Sequence, residues 1–94
     1  MQTKRKNTML EKITKTDKVE AVNLDTIPMI QVRNATWIEE DGVMVGSKGY
    51  SRYVLTPDSD VSNEPASVQA MAAAIFTDEV KAAYAAKLAE QENI

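Results

Sequence analysis

The sequence predicts an α+β domain: a three-stranded antiparallel meander followed by C-terminal Ala-rich helices, with an extended basic N-terminal arm ahead of them. Three observations carry this. Met29 to Ile38 is dense in β-branched and apolar residues and runs into Asp41-Gly42, a pair suited to the positive φ angles of a two-residue hairpin turn. Residues 58–64 are a polar Asp/Ser linker. Residues 65–91 are rich in alanine and contain no glycine, with apolar positions at helical spacing.

The sheet is predicted over residues 29–56. After the Asp41-Gly42 turn, Val43-Met44-Val45 forms the return strand. Gly46-Ser47-Lys48-Gly49 then reads as a second turn, and Tyr50 to Thr56 as the third strand, stopped by Pro57. In this register Ile38 faces Val45, and Val45 faces Tyr50. One face then carries Ile38, Val43, Val45, Tyr50 and Val54. The other carries Trp37, Met44, Tyr53 and Leu55, with Trp37 buried across Gly46 and Gly49.

In the helical region, Val68, Met71, Ala72 and Ile75 follow the i, i+3, i+4, i+7 pattern. Thr77-Asp78-Glu79 reads as a fresh N-cap with acids in the first turn. Val80, Ala83, Tyr84 and Leu88 continue the stripe in a shifted phase. Two helices meeting near Thr77, or one helix kinked there, are expected.

Residues 1–26 read as the arm and residues 27–94 as a single domain. Within the arm, Thr8-Met9-Leu10-Glu11 has the spacing of a capping box, which predicts a short helix from Met9 to about Thr16 with Met9 and Ile13 on one side. Val19 to Leu24 is expected to be extended. Charge divides sharply: residues 1–18 carry six basic and two acidic side chains (+4), and residues 19–94 carry five and twelve (−7). A basic arm on an acidic body is an interaction pattern.

The 94 residues contain no histidine and no cysteine. The usual general base near neutral pH is therefore missing, along with the thiolate nucleophile and the commonest zinc and copper ligands. An enzyme, a cofactor and a metal are not expected. Glu39-Glu40-Asp41 is the densest acidic cluster, but it falls on a hairpin tip, where a solvated turn is expected rather than acid–base chemistry. Asp58-x-Asp60-x-Ser62 has the opening of a calcium loop, yet Asn63 stands where the loop needs glycine and Gln69 where it needs a bidentate acid. Gly46-Ser47-Lys48-Gly49 lacks the spacing of a phosphate loop. Lys48, Tyr50, Arg52 and Tyr53 interleave charge with aromatics, but Tyr50 and Tyr53 fall on opposite faces and make no single stacking platform.

The order of a Trp37-Ile38-Glu39-Glu40-Asp41-Gly42 hairpin, a third strand, an Asp/Ser linker and Ala-rich helices resembles the small accessory and virion proteins that bacteriophages encode in their morphogenesis regions. That resemblance implies a structural role, capsid-decorating or tail-associated, and carries over no site residue. The expected function is a non-enzymatic structural or interaction protein that docks through its arm and a sheet face onto a protein partner or onto further copies. The residues assigned to docking are Lys4, Arg5, Lys6, Met9, Leu10, Ile13, Trp37 and Tyr53. The alternatives are a small acidic inhibitor of a host protein, and a nucleic-acid binder using residues 1–18. No membrane and no small-molecule substrate is expected; the location is the cytoplasm where the chain is made, or a virion.

Overall fold

A computed structural model describes residues 9–92. The chain is α+β: a three-stranded antiparallel sheet in the order β1-β2-β3, then two helices. The strands are long: β1 is Leu10–Val22, β2 is Met29–Glu40 and β3 is Val43–Leu55. The helices are α1, Ala66–Ile75, and α2, Asp78–Glu92.

The meander is therefore built from different segments than the sequence suggests. The arm helix expected over Met9–Thr16 is absent, and Leu10–Val22 is instead an edge strand paired with β2 from Leu10↔Glu40 to Val22↔Met29. Residues 10–22 thus belong to the sheet rather than to a separate arm. An isolated helix of eight residues has little stability of its own, whereas the strand form gains a full ladder of hydrogen bonds and places Val19 against the core. Asp17 is bulged out where the register slips between Thr16 and Lys18.

The second turn is also absent. Gly46-Ser47-Lys48 is a bulge inside one continuous strand: Thr36 pairs with Gly49, Ile38 with Val45, and the three residues between oppose Trp37 alone. Gly46 takes φ +75° there, which a glycine tolerates without strain. Strand alternation then runs unbroken through β3. It places Tyr53 and Leu55 beside Ile38 and Val45, and Tyr50 and Val54 beside Trp37, the reverse of the expected grouping. The separation of Tyr50 from Tyr53 onto opposite faces holds.

The first turn is as predicted. Glu40 pairs with Val43, and Asp41 and Gly42 have φ of 52° and 86°, the type I′ combination that matches strand twist. A Cβ at Gly42 would meet no atom within 4 Å, so the cost of a side chain there is backbone strain alone. Gly42→Val is expected to lower stability by roughly 1 kcal/mol or more, measured by denaturant unfolding. An unchanged midpoint would contradict this turn.

The helices follow local signals. The Thr77 hydroxyl accepts a hydrogen bond from the Val80 backbone N–H at 3.2 Å, capping α2 as a threonine should. Pro65 precedes α1 and its carbonyl accepts from Val68 and Gln69, both at 3.0 Å. Val68 and Ala72 of α1 are buried against the sheet, and Met71 and Ile75 pack beside them.

The core is small and sits at one end. Ile30, Val32 and Leu55 from the sheet meet Val68, Ala72 and Phe76. Pairing puts Val19 and Tyr53 either side of Val32, and Ala21 and Leu55 either side of Ile30. Beyond Val32 the helices no longer cover the sheet, and the three strands run on to the Asp41-Gly42 tip as an uncovered blade. The radius of gyration, 20.0 Å, is far above the roughly 12 Å of a compact domain of this length.

Candidate interaction surface

The blade has two faces of different chemistry. The helix-side face continues the core stripe. After Val32 it presents Asn34 and Thr36, then Ile38. The neighbouring strands add Thr14 and Thr16 on one side and Ser51, Gly49 and Val45 on the other. The side chains pair internally: the Thr14 and Thr36 hydroxyls lie 3.1 Å apart, and the Thr16 hydroxyl donates to Asn34 Oδ1 at 2.7 Å. Toward the tip the face opens, with apolar side chains around Lys12 and Glu40. Leu10 and Val43 are 67% and 66% exposed, and Ile38 and Val45 are exposed as well.

The outer face carries cations and aromatics, with Glu11, Glu20 and Glu39 in the same rows. Arg33 sits over the Tyr50 ring with its guanidinium carbon 4.5 Å from the centroid, and Lys48 Nζ lies 4.9 Å from the Trp37 ring. Arg52 also lies near the Tyr50 ring, 6.0 Å from its centroid. Lys15 and Lys18 stand in the same rows, opposite Ala35 and Arg33. Ala35 is buried on this face, in the row that carries Lys15 and Tyr50. Asp17, displaced by its bulge, accepts two hydrogen bonds from Arg33, at 2.9 and 2.8 Å. This bidentate pairing holds the Asp17 carboxyl below its ordinary range and raises the Arg33 guanidinium further. Lys18, Arg33 and Arg52 also border a shallow hollow of about 80 Å³ with Glu20 and Gln31.

The residues assigned to docking from the sequence divide as follows. Lys4, Arg5 and Lys6 lie outside the described residues. Met9 and Leu10 are exposed at the blade tip, and Met9 is tied to the turn by the hydrogen bond that its carbonyl accepts from Asp41 N at 3.1 Å. Ile13 and Trp37 face each other on the outer face. Trp37 is half-buried rather than buried, because its neighbours are a glycine bulge and a lysine rather than a second sheet. Its indole N–H donates to Glu39 Oε2 at 2.8 Å. Tyr53 stands apart on the helix side, packed on the core, with its hydroxyl donating to Glu64.

Burial first, then the Glu64 hydrogen bond and charge, push the Tyr53 phenol up to about 12. The folded value lies above the ordinary tyrosine value of 10.0. The neutral phenol therefore contributes stability that is complete below pH 10 and is lost as pH rises toward about 12. An absorbance titration of phenolate should show a step near pH 12 that disappears in Tyr53→Phe. If the step survives that substitution, the assignment to Tyr53 fails.

What sequence reasoning missed is that Tyr50 shares a face with Trp37, and that Lys15, Lys18 and Arg33 join Lys48 and Arg52 around them. The signal was present in the even spacing from Lys48 to Tyr50 to Arg52, but reading a turn at 46–49 put Tyr50 on the wrong face. The acidic sequences hold no metal geometry. Asp60 Oδ1 accepts from Ser62 N at 2.9 Å and Asp58 accepts from the Thr56 hydroxyl, a turn arrangement. Among the described residues there is no cluster of three or more acidic, His or Cys side chains placed for a cation. No helix among them is long and apolar enough to cross a membrane. No family model matches this chain, and neither a curated protein nor a solved structure is similar to it.

Proposed function

We propose that this chain is a non-enzymatic structural or interaction protein that joins a macromolecular assembly through the uncovered blade of its sheet. One observation carries the reading. Leu10, Ile38, Val43 and Val45 form an exposed apolar end on strands that extend well past the core they stabilise. Exposed apolar side chains grouped this way, with Lys12 and Glu40 between them, are retained where a partner covers them. The resemblance to small phage accessory and virion proteins makes a capsid-decorating or tail-associated role the fuller form of this proposal.

The test is capture from the native source with mass spectrometry, comparing the wild-type chain with the double variant Ile38→Glu, Val43→Glu. Both positions are exposed, so the variant keeps its fold. Loss of the captured assembly is expected; identical capture by both would sink the reading.

A second reading is favoured by a specific observation, the outer face. Five cations in adjacent rows around Trp37 and Tyr50, interspersed with Asp17, Glu20 and Glu39, combine positive charge with exposed aromatic rings in a way that suits an anionic partner such as single-stranded nucleic acid. Binding of an oligonucleotide would then weaken steeply with salt and fall further in Lys48→Gln, Arg52→Gln. An affinity that ignores both changes would remove it.

A further inference from the structure

The two long edges of the sheet are guarded differently. The β1 edge mixes charges of both signs, from Glu11 and Lys12 to Lys18 and Glu20, and is bulged at Asp17. Helix α1 packs against β1 and β2. Charges, bulges and covering helices are the devices that keep an edge strand from pairing further. The β3 edge has its bulge at Gly46-Ser47-Lys48, and from Gly49 to Leu55 its pairing with β2 is unbroken. That stretch holds no proline and no acidic residue. Tyr50 and Val54 are 49% and 56% exposed on it, and among the described residues β2 is its only strand partner. Alternate residues of an antiparallel strand turn both backbone groups away from the partner. Between Gly49 and Leu55 these groups face outward, and no turn or loop among the described residues takes them up.

Charge on the outer face is sorted along the same line. Asp17 and Glu20 stand on β1, two strands from this edge, and pair with Arg33 and Lys18. Glu11 and Glu39 form the outer row nearest the tip, where Glu39 accepts the Trp37 indole N–H. Strand β3 contributes Lys48 and Arg52 and no acid. Neither takes part in an ion pair among the described residues; their neighbours are the Trp37 and Tyr50 rings. A hollow of about 230 Å³ lined by Arg52, Gln31, Tyr53 and Val54 lies at the core end of the same stretch.

We infer that the β3 edge from Gly49 to Leu55 takes up an acidic, extended peptide segment of another protein as a fourth strand. Backbone pairing gives such a contact its affinity, and alternate side chains give it specificity. Lys48, Tyr50 and Arg52 follow one another at strand spacing on the outer face. The segment therefore carries one carboxylate opposite Arg52, a second beside Lys48, and an apolar residue between them over Tyr50. That order, acid-x-apolar-x-acid, reads the same in both chain directions. On the other face the added strand meets Gly49 and Ser51, which leave room for threonine or valine. The bulge ends the pairing toward the tip, and Pro57 ends it toward the core. The site is separate from the apolar end of the blade, since none of Leu10, Ile38, Val43 and Val45 lies in it. A short peptide loses much conformational freedom on binding, which places its dissociation constant at roughly 10–100 µM.

The full chain is titrated with the end-capped peptide Thr-Glu-Thr-Val-Thr-Glu-Thr and followed by amide chemical shifts and hydrogen exchange. Shifts and added protection should concentrate on Gly49 to Leu55 and leave the β1 amides unmoved. Arg52→Gln should weaken binding about tenfold, whereas Lys12→Gln, which removes the same charge from the other edge, should change it by less than about twofold. The peptide with glutamine for both glutamates should also bind about tenfold more weakly. N-methylation at alternate peptide residues tests the backbone: one phase should abolish binding and the other spare it, because only one set of amides faces β3. No shift at millimolar peptide overturns the inference. So does equal binding of both methylated peptides, which leaves charge attraction alone, or protection that falls on β1 instead. A thymidine oligonucleotide that displaces the peptide while shifting Lys15, Lys18 and Trp37 assigns the contact to the outer face and overturns the edge. A chain that ignores the peptide but still loses its captured assembly on Ile38→Glu, Val43→Glu overturns this inference and leaves the docking reading standing.

Discussion

Ile30→Ala is expected to cost about 2–5 kcal/mol and to lower the thermal midpoint by roughly 15 °C. Ile30 is 0% exposed in the central strand, with Ala21 and Leu55 opposite it on the flanking strands and Val68, Ala72 and Phe76 in the same cluster. Removing its side chain leaves a cavity in a core of six buried residues, which has few neighbours able to collapse into the space. A small domain sits near the lower end of the stability range, about 5 kcal/mol, so this one substitution removes a large share of it. Val54→Ala provides the contrast: that side chain is more than half exposed on the outer face and should shift stability by about 0.5 kcal/mol or less. Equal effects at the two positions would mean that the core does not lie on the helix side of the sheet.

Deleting residues 2–18 is expected to dismantle the blade. The segment supplies the β1 pairing from Leu10↔Glu40 to Lys18↔Arg33. Without it, β2 and β3 continue past the core as a two-stranded ribbon, which is marginal in water. Arg33 loses the carboxylate of Asp17, and Ala35 loses the strand that carries Lys15. The strand signal in circular dichroism should fall, and amides from Asn34 to Ser51 should lose protection from hydrogen exchange. The sequence by itself suggests the opposite, that this segment docks without contributing to the fold, so a truncated chain with an unchanged spectrum would restore that view and remove β1.

The contrast between these segments shows which features are local. Asp41-Gly42 fixes its turn because few residue pairs accept two consecutive positive φ angles. Thr77 ends one helix and begins another because its own hydroxyl reaches the backbone three residues on. The Val68, Met71, Ala72, Ile75 stripe marks the buried side of α1 through spacing alone. Each of these rests on atoms within a few residues of one another, and each was legible.

The candidate surface was only half legible for the opposite reason. Thr8 to Glu11 carries a helix-start signal, and nothing between Leu10 and Lys18 outweighs it locally; the segment becomes a strand because the free edge of β2 supplies hydrogen-bond partners 15 to 30 residues away in sequence. Gly46 to Gly49 satisfies every local rule for a turn. It remains within one strand because β2 continues past it through Trp37 to Glu40, and a strand with a partner to follow absorbs the extra residues as a bulge. That choice sets the face of every residue from Tyr50 to Leu55 relative to Ile38 and Val45. The sequence alone determined the class, the hairpin turn and the helices. Tertiary pairing decided that the basic segment joins the sheet and that Tyr50 shares a face with Trp37, since strand identity and register depend on long-range hydrogen bonds that no local pattern encodes.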